Sequence, residues 1–277
     1  MDPRSFLKVT ILLMLIPALI CLFLPPGTIA NSYTTIMHPL ALLIGALLSL
    51  RVASIYKSWL RRAFIFLSLF LFFMMLANID PLMEILRAVF GDLLFPLFVL
   101  IMQWTTYAML VISSICILKV TELREISTGG RIAITAVCFL GILIVTYHIP
   151  SLIEEVAVFH VIYTISLLLI RLTDVAIVIM LVPVVILYAQ QMRLEGRESL
   201  TFTTVICGII LSLTDAYVYE ISFGVPLYVI AREVCHTGSI LDALYVFSYL
   251  IIAAGLYVHK RYDEWGFDMV EQALSRG

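Results

Sequence analysis

Charge is what this sequence has least of. Charged residues make up 13% of its 277 positions, about half the share of a soluble globular domain, roughly a quarter. With 62% hydrophobic residues and a mean hydropathy of +1.10, the chain lacks the polar surface that a water-facing fold requires. The solvent for most of its surface is lipid. It also lacks a basic patch with interleaved aromatics away from the membrane edges, so a nucleic-acid partner is not expected. Paired cysteines are missing. Cys21, Cys116, Cys138, Cys207 and Cys235 fall one to a segment, with no CxxC or Cys/His zinc spacing. Four lie in apolar runs, where cysteine acts as a small hydrophobe. HExxH, GxSxG and glycine-rich phosphate loops are all absent. Lys8, Lys57, Lys119 and Lys260 map to the ends of apolar runs, so no lysine stands where a retinal Schiff base needs one. Neither catalytic residues, metal ligands nor a cofactor are assigned.

What the chain does have is apolar length. Eight runs are separable by charge and by Pro/Gly breaks, at about 6–25, 35–54, 60–78, 93–118, 131–148, 167–189, 201–220 and 240–258. Each supplies the ~20 residues that cross ~30 Å of hydrocarbon as a helix. The expected fold is an all-α integral membrane protein, a single bundle of about eight transmembrane helices over 1–258. A short cytoplasmic tail helix over 259–277 would follow. The first run resembles a signal peptide but has no small-x-small cleavage site, and Pro25, Pro26 and Gly27 follow it, so it reads as a retained helix.

Orientation follows from lysine and arginine. With the N-terminus inside, fourteen of the seventeen basic residues fall on the inner side. Only Arg87 and Arg232 fall outside, and Arg171 lies within a helix. Both termini are then cytoplasmic and the protein is a multi-pass protein of the plasma membrane. The acidic Asp80, Glu84, Glu154 and Glu155 fall outside. The stretch 152–188 spans ~55 Å if helical, too long for one crossing, so 151–165 is expected to project or lie on the outer surface. Asp80 to Gly91 reads as a short amphipathic turn on the same side.

Charged groups within a membrane cost several kcal/mol and usually have a reason. Helix six carries Arg171 and Asp174, three apart and so on one face. Helix seven carries Ser212, Asp215, Tyr217 and Glu220, and helix eight Asp242, Tyr245, Ser248 and Tyr249. Counting ~1.5 Å per residue from the outer edge puts Asp174, Asp215 and Asp242 in one layer of the outer half. One arginine among three carboxylates leaves an excess of negative charge that calls for a proton, a cation or an amine. The tyrosines would wall such a site, and helix four can add Gln103 and Trp104. The same groups also suit plain helix-to-helix hydrogen bonding, which is common in membrane bundles. His38, His148, His160 and His236 map to the outer side and His259 to the inner. No pair has the i,i+4 spacing of a metal site.

The runs Leu213-Thr214-Asp215-Ala216-Tyr217 and Leu241-Asp242-Ala243-Leu244-Tyr245, continuing through Ser248-Tyr249-Leu250 to Gly255-Leu256-Tyr257, carry a likeness. Over roughly 167–260 the chain resembles the final spans of multi-helix sensor regions that precede PAS, histidine kinase or diguanylate cyclase domains in archaea and bacteria. The resemblance implies a membrane-embedded input module of a prokaryote. Its signal would pass inward along the last helix to a cytoplasmic signalling protein or another membrane subunit, since no output domain follows Gly277. The expected function is therefore a non-catalytic, receptor-like sensor or assembly module that takes a small external ligand or a proton. Two alternatives use the same carboxylates: a small-solute or ion-coupled transporter, and a membrane enzyme acting on a lipid-linked substrate.

Overall fold

In hydrocarbon every backbone N–H and C=O must find its partner within the chain, and a helix meets that demand locally. Accordingly, the computed structural model is all-helical over the residues it describes, which are 3–23, 28–121, 126–156, 161–191, 197–223, 240–262 and 264–265. The helices are α1 (Pro3–Phe23), α2 (Thr28–Ala53), α3 (Ser58–Ala77), α4 (Asp80–Val120), α5 (Thr128–Val156), α6 (Val161–Gln191), α7 (Arg197–Phe223) and α8 (Ile240–Arg261). No strand occurs among the described residues.

Five helices among the described residues are long and apolar enough to cross a membrane. These candidate spans are Ser32–Ala53, Ser58–Ala77, Leu94–Val120, Leu168–Tyr188 and Asp242–Arg261, which make the chain a membrane protein. Shorter apolar stretches lie in α1, α5 and α7, at Lys8–Ile20, Thr128–Leu143 and Ser199–Asp215.

Two features differ from, or sharpen, the sequence reading. Of the stretch 151–165, residues 151–156 complete α5 and 161–165 begin α6. The excess length is shared between a helix of 29 residues and one of 31. Asp80 to Gly91, expected as a short amphipathic turn, is a helical segment. Gly91 ends it with φ 68 and ψ 166, a conformation open to glycine and strained for other residues, and the long part of α4 begins anew after it.

Packing runs round a closed cycle. α2 packs on α3, α3 on α4, α4 on α6, α6 on α7, α7 on α8, and α8 returns to α2. α1 lies outside against α8 and α2, and α5 outside against α6. Ile132, Phe139 and Ile142 of α5 are exposed and face the surroundings. Small residues draw the cycle together. Ser49 Oγ donates to the Phe64 carbonyl at 2.8 Å, Ser68 Oγ to that of Ala46 at 2.8 Å, and Ser113 Oγ to that of Ala63 at 2.9 Å. Such bonds give direction to helix contacts that apolar packing leaves free to slide. α7 and α8 approach closely at Gly208 and Gly255. A methyl group at Gly208 would sit 2.7 Å from the Ser248 carbonyl oxygen, and one at Gly255 would collide with Thr204.

Candidate functional site

Three aspartates that an apolar helix has no local use for are buried together. Asp174 of α6 is 0% exposed, Asp215 of α7 5% and Asp242 of α8 7%. Asp215 and Asp242 lie within electrostatic reach of each other. Tyr249 joins them. Its ring is buried on α8, its hydroxyl hydrogen-bonds with those of Tyr245 and Ser212, and it is within reach of the charges of Asp215 and Asp174. Tyr245, one turn earlier on α8 and half-buried, meets Tyr249 edge-on at 5.1 Å between ring centroids.

A fourth helix contributes a residue that the sequence reading put at the outer membrane edge. His38 is the eleventh residue of α2 and is buried. Its ring meets Tyr245 edge-on at 4.5 Å and stacks on Tyr249 at 5.3 Å. The apolar run from 35 leaves His38 near its outer end, whereas α2 begins at Thr28 and the ring is buried in the bundle. An imidazole inside an apolar run was the signal available, by the same reasoning that singled out the aspartates.

The assembled site is thus a layer shared by α2, α6, α7 and α8, with carboxylates from three helices and an imidazole and two phenols beside them. Asp215 Oδ1 is buried and has no hydrogen-bond partner among the described residues. Such an atom needs an explanation, because buried polar groups are otherwise paired. The side chains of Arg171, Tyr217 and Glu220, also expected here, lie outside those described, although their positions in α6 and α7 are fixed. Gln103 is half-buried on α4, a helix that packs on α3 and α6. The side chain of His148, and His160 and His236 as a whole, fall outside what is described, and no cluster of metal-ligating side chains occurs among the described residues. Cys116, Cys138 and Cys207 are free thiols.

Residues of α3, α6, α7 and α8, with Tyr56 from the turn between α2 and α3, form a second polar cluster at the other end of the bundle, and apolar periodicity offers no means of pairing them. His259 of α8 is 1% exposed. Its Nε2 is 3.0 Å from the Tyr56 hydroxyl and its Nδ1 is 2.7 Å from the Thr201 hydroxyl of α7. In the neutral imidazole one nitrogen donates and the other accepts, so both are satisfied. Aromatic rings enclose it: Tyr56 stacks on Phe64, Phe64 on Phe202, and Phe202 on Tyr188 of α6 at 5.0 Å. Ser199 Oγ donates to the Tyr188 carbonyl at 2.5 Å, tying α7 to α6. Between the two clusters lies a dry belt in which Leu42, Ile177, Leu181, Ile206, Ile209, Ile252 and Leu256 are fully buried.

A cleft of about 260 Å³ opens elsewhere, between the end of α3 and both parts of α4. Its lining, including Phe73, Met83, Leu86, Phe98 and Met102, is apolar and holds none of the residues above. No protein-family model, no curated protein and no solved structure matches this chain.

Proposed function

We propose that the chain is a receptor-like sensor module of the plasma membrane, with eight spans and both ends in the cytoplasm. It would respond to a proton or a small cation at the layer of Asp174, Asp215 and Asp242. The observation that carries this reading is the burial of three carboxylates in one layer, with an oxygen of Asp215 left without a hydrogen-bond partner among the described residues. Ionised carboxylates in apolar surroundings are costly unless a counter-charge or a proton accompanies them. A layer of this kind therefore has a reason to bind one.

The dry belt favours a sensor over a transporter. A solute leaving the acid layer would meet several fully buried Ile and Leu side chains before the His259 end. A signal can cross that belt without a solute, because one rigid helix joins both ends. Asp242 and His259 are seventeen residues apart on α8, about 26 Å at the helical rise. A change of charge at Asp242 and Asp215 would shift α8 and be felt at its cytoplasmic end. A signalling protein or membrane subunit would read the shift.

The test uses the purified full-length chain in lipid vesicles, stepped from mildly alkaline to mildly acidic buffer. Infrared difference spectra should show a carboxylic-acid carbonyl band that D215N removes. Hydrogen exchange in the last turns of α8 should change over the same pH step in the wild type and not in D215N. If the infrared spectra show no carboxyl protonation, or exchange at the end of α8 is indifferent to it, the sensor reading falls. Proton-coupled solute flux into the vesicles would replace it with transport.

A further inference from the structure

The end of the bundle that carries His259 also carries a cluster of positive charge on its surface. From Pro3 to Ile79 the sequence contains no Asp or Glu, yet it places Arg51, Lys57, Arg61 and Arg62 around the turn from α2 to α3. Lys119, in the last turn of α4, lies beside them, because α3 and α4 pack together and run in opposite directions. All five are exposed, and none forms an ion pair with a described residue. Trp59 stands in their midst, 36% exposed. Lys119 Nζ lies 4.0 Å and the Arg62 guanidinium carbon 4.8 Å from the centre of its ring. The indole face thus holds two cations of different helices in place and keeps their hydrogen-bonding groups available to an anion.

Position decides which anion. Ser58 is the first residue of one candidate span and Val120 the last of another, so this cluster sits at a membrane–water boundary. Next to it the helix surface turns apolar at once: Leu47, Leu50, Ile112, Ile115 and Val120 are exposed. A ligand that meets both surfaces has an anionic head and hydrocarbon chains. We propose that Arg62 and Lys119, held by Trp59 and backed by Lys57 and Arg61, bind the phosphate of an anionic phospholipid whose chains lie along the exposed faces of α2 and α4. The site is independent of the acid layer and would stand if the sensor reading fell.

Each basic residue near an anionic membrane surface strengthens association by roughly 5-fold, so losing two should weaken it by roughly 25-fold. The experiment is native mass spectrometry of the full chain in detergent, with phosphatidylglycerol or phosphatidylcholine of the same acyl chains added. The wild type should retain phosphatidylglycerol in preference to phosphatidylcholine, and R62Q/K119Q should lose that preference. Equal retention of the two lipids by the wild type overturns the proposal. So does a preference that survives R62Q/K119Q, or displacement of the lipid by millimolar inorganic phosphate, which would make the ligand a soluble anion. If R62Q/K119Q cannot be purified, W104F/W265F, which keeps Trp59 as its one tryptophan, decides the matter. Brominated phosphatidylglycerol should then quench its fluorescence more strongly than brominated phosphatidylcholine, and equal quenching counts against the site.

Discussion

The two polar clusters share α6, α7 and α8 and differ in how far their hydrogen bonds are met. At one end His259 has a partner on each ring nitrogen, and aromatic rings close round it. At the other, three carboxylates share a layer and Asp215 Oδ1 has no hydrogen-bond partner among the described residues. A satisfied buried network rigidifies a fold, whereas a partly satisfied one is a standing cost that a structural role does not explain. The contrast separates a fastening from a site without appeal to any relative. It also assigns opposite signs to the consequences of mutation at the two ends.

The largest effect is expected at the fastening. His259→Ala removes a buried ring and leaves the hydroxyls of Tyr56 and Thr201 without it, in a pocket that the surrounding aromatics cannot readily fill. The expected loss is about 3–5 kcal/mol, combining a core cavity with abandoned hydrogen bonds. Thermal unfolding in detergent, followed by loss of the helical circular-dichroism signal, measures it. A loss below about 1 kcal/mol would mean that the cluster holds nothing together and that the comparison has no structural pole.

Next comes the contact that fixes α7 against α8 between the two clusters. Gly208→Ala would put a methyl group 2.7 Å from the Ser248 carbonyl oxygen, a backbone atom that cannot swing aside. The helices must part locally, at an expected cost of about 1–3 kcal/mol. If α8 transmits the state of the acid layer, the same variant should also weaken the hydrogen-exchange response at the end of α8. Full stability with an unchanged response would show that close packing at this point is dispensable.

A smaller effect tests the fastening by a single bond. Tyr56→Phe keeps the ring stacked on Phe64, as the wild-type ring is at 5.8 Å, and deletes only the hydroxyl beside His259 Nε2. The expected loss is about 1 kcal/mol, the usual net value of one hydrogen bond. Unfolding of Y56F beside H259A divides the bond from the packing, and a loss equal to that of H259A would place the whole effect in the bond.

The sequence made the acid layer legible and the fastening illegible for one physical reason. Asp174, Asp215 and Asp242 announce themselves because a carboxylate in an apolar run is expensive whatever its neighbours, and depth along a helix follows from counting. Likewise the helices are readable from length and hydropathy. Which faces meet is another matter. Tyr56 and His259 are separated by 203 residues, and nothing in apolar periodicity says that α8 packs on α2 or that α4 packs on α6. The start of α2 at Thr28, seven residues before the apolar run, was not legible either. Helix ends are the least determined part of such a reading, since polar residues at a membrane boundary serve equally as loop or first turn.

The smallest expected change in stability is the one that most sharpens the comparison. Asp215→Asn keeps size and shape and removes one negative charge from a layer where Asp242 acts on it electrostatically. The amide brings N–H donors that the carboxylate lacks, and these can face Asp242 or the Tyr249 hydroxyl. No bond to Asp215 Oδ1 from a described residue is lost, because none exists. Stability should therefore stay within about 1 kcal/mol of wild type, with any shift toward greater stability, since relief of a buried like-charge contact favours the folded state. The pH response should vanish at the same time. Chemical unfolding of D215N alongside the wild type measures the first and infrared difference spectra the second. A loss above about 2 kcal/mol would mean that the charge itself holds the bundle together, as a structural ion would. The acid layer would then be a second fastening, and the difference between the two ends of α8 would lie in chemistry but not in role.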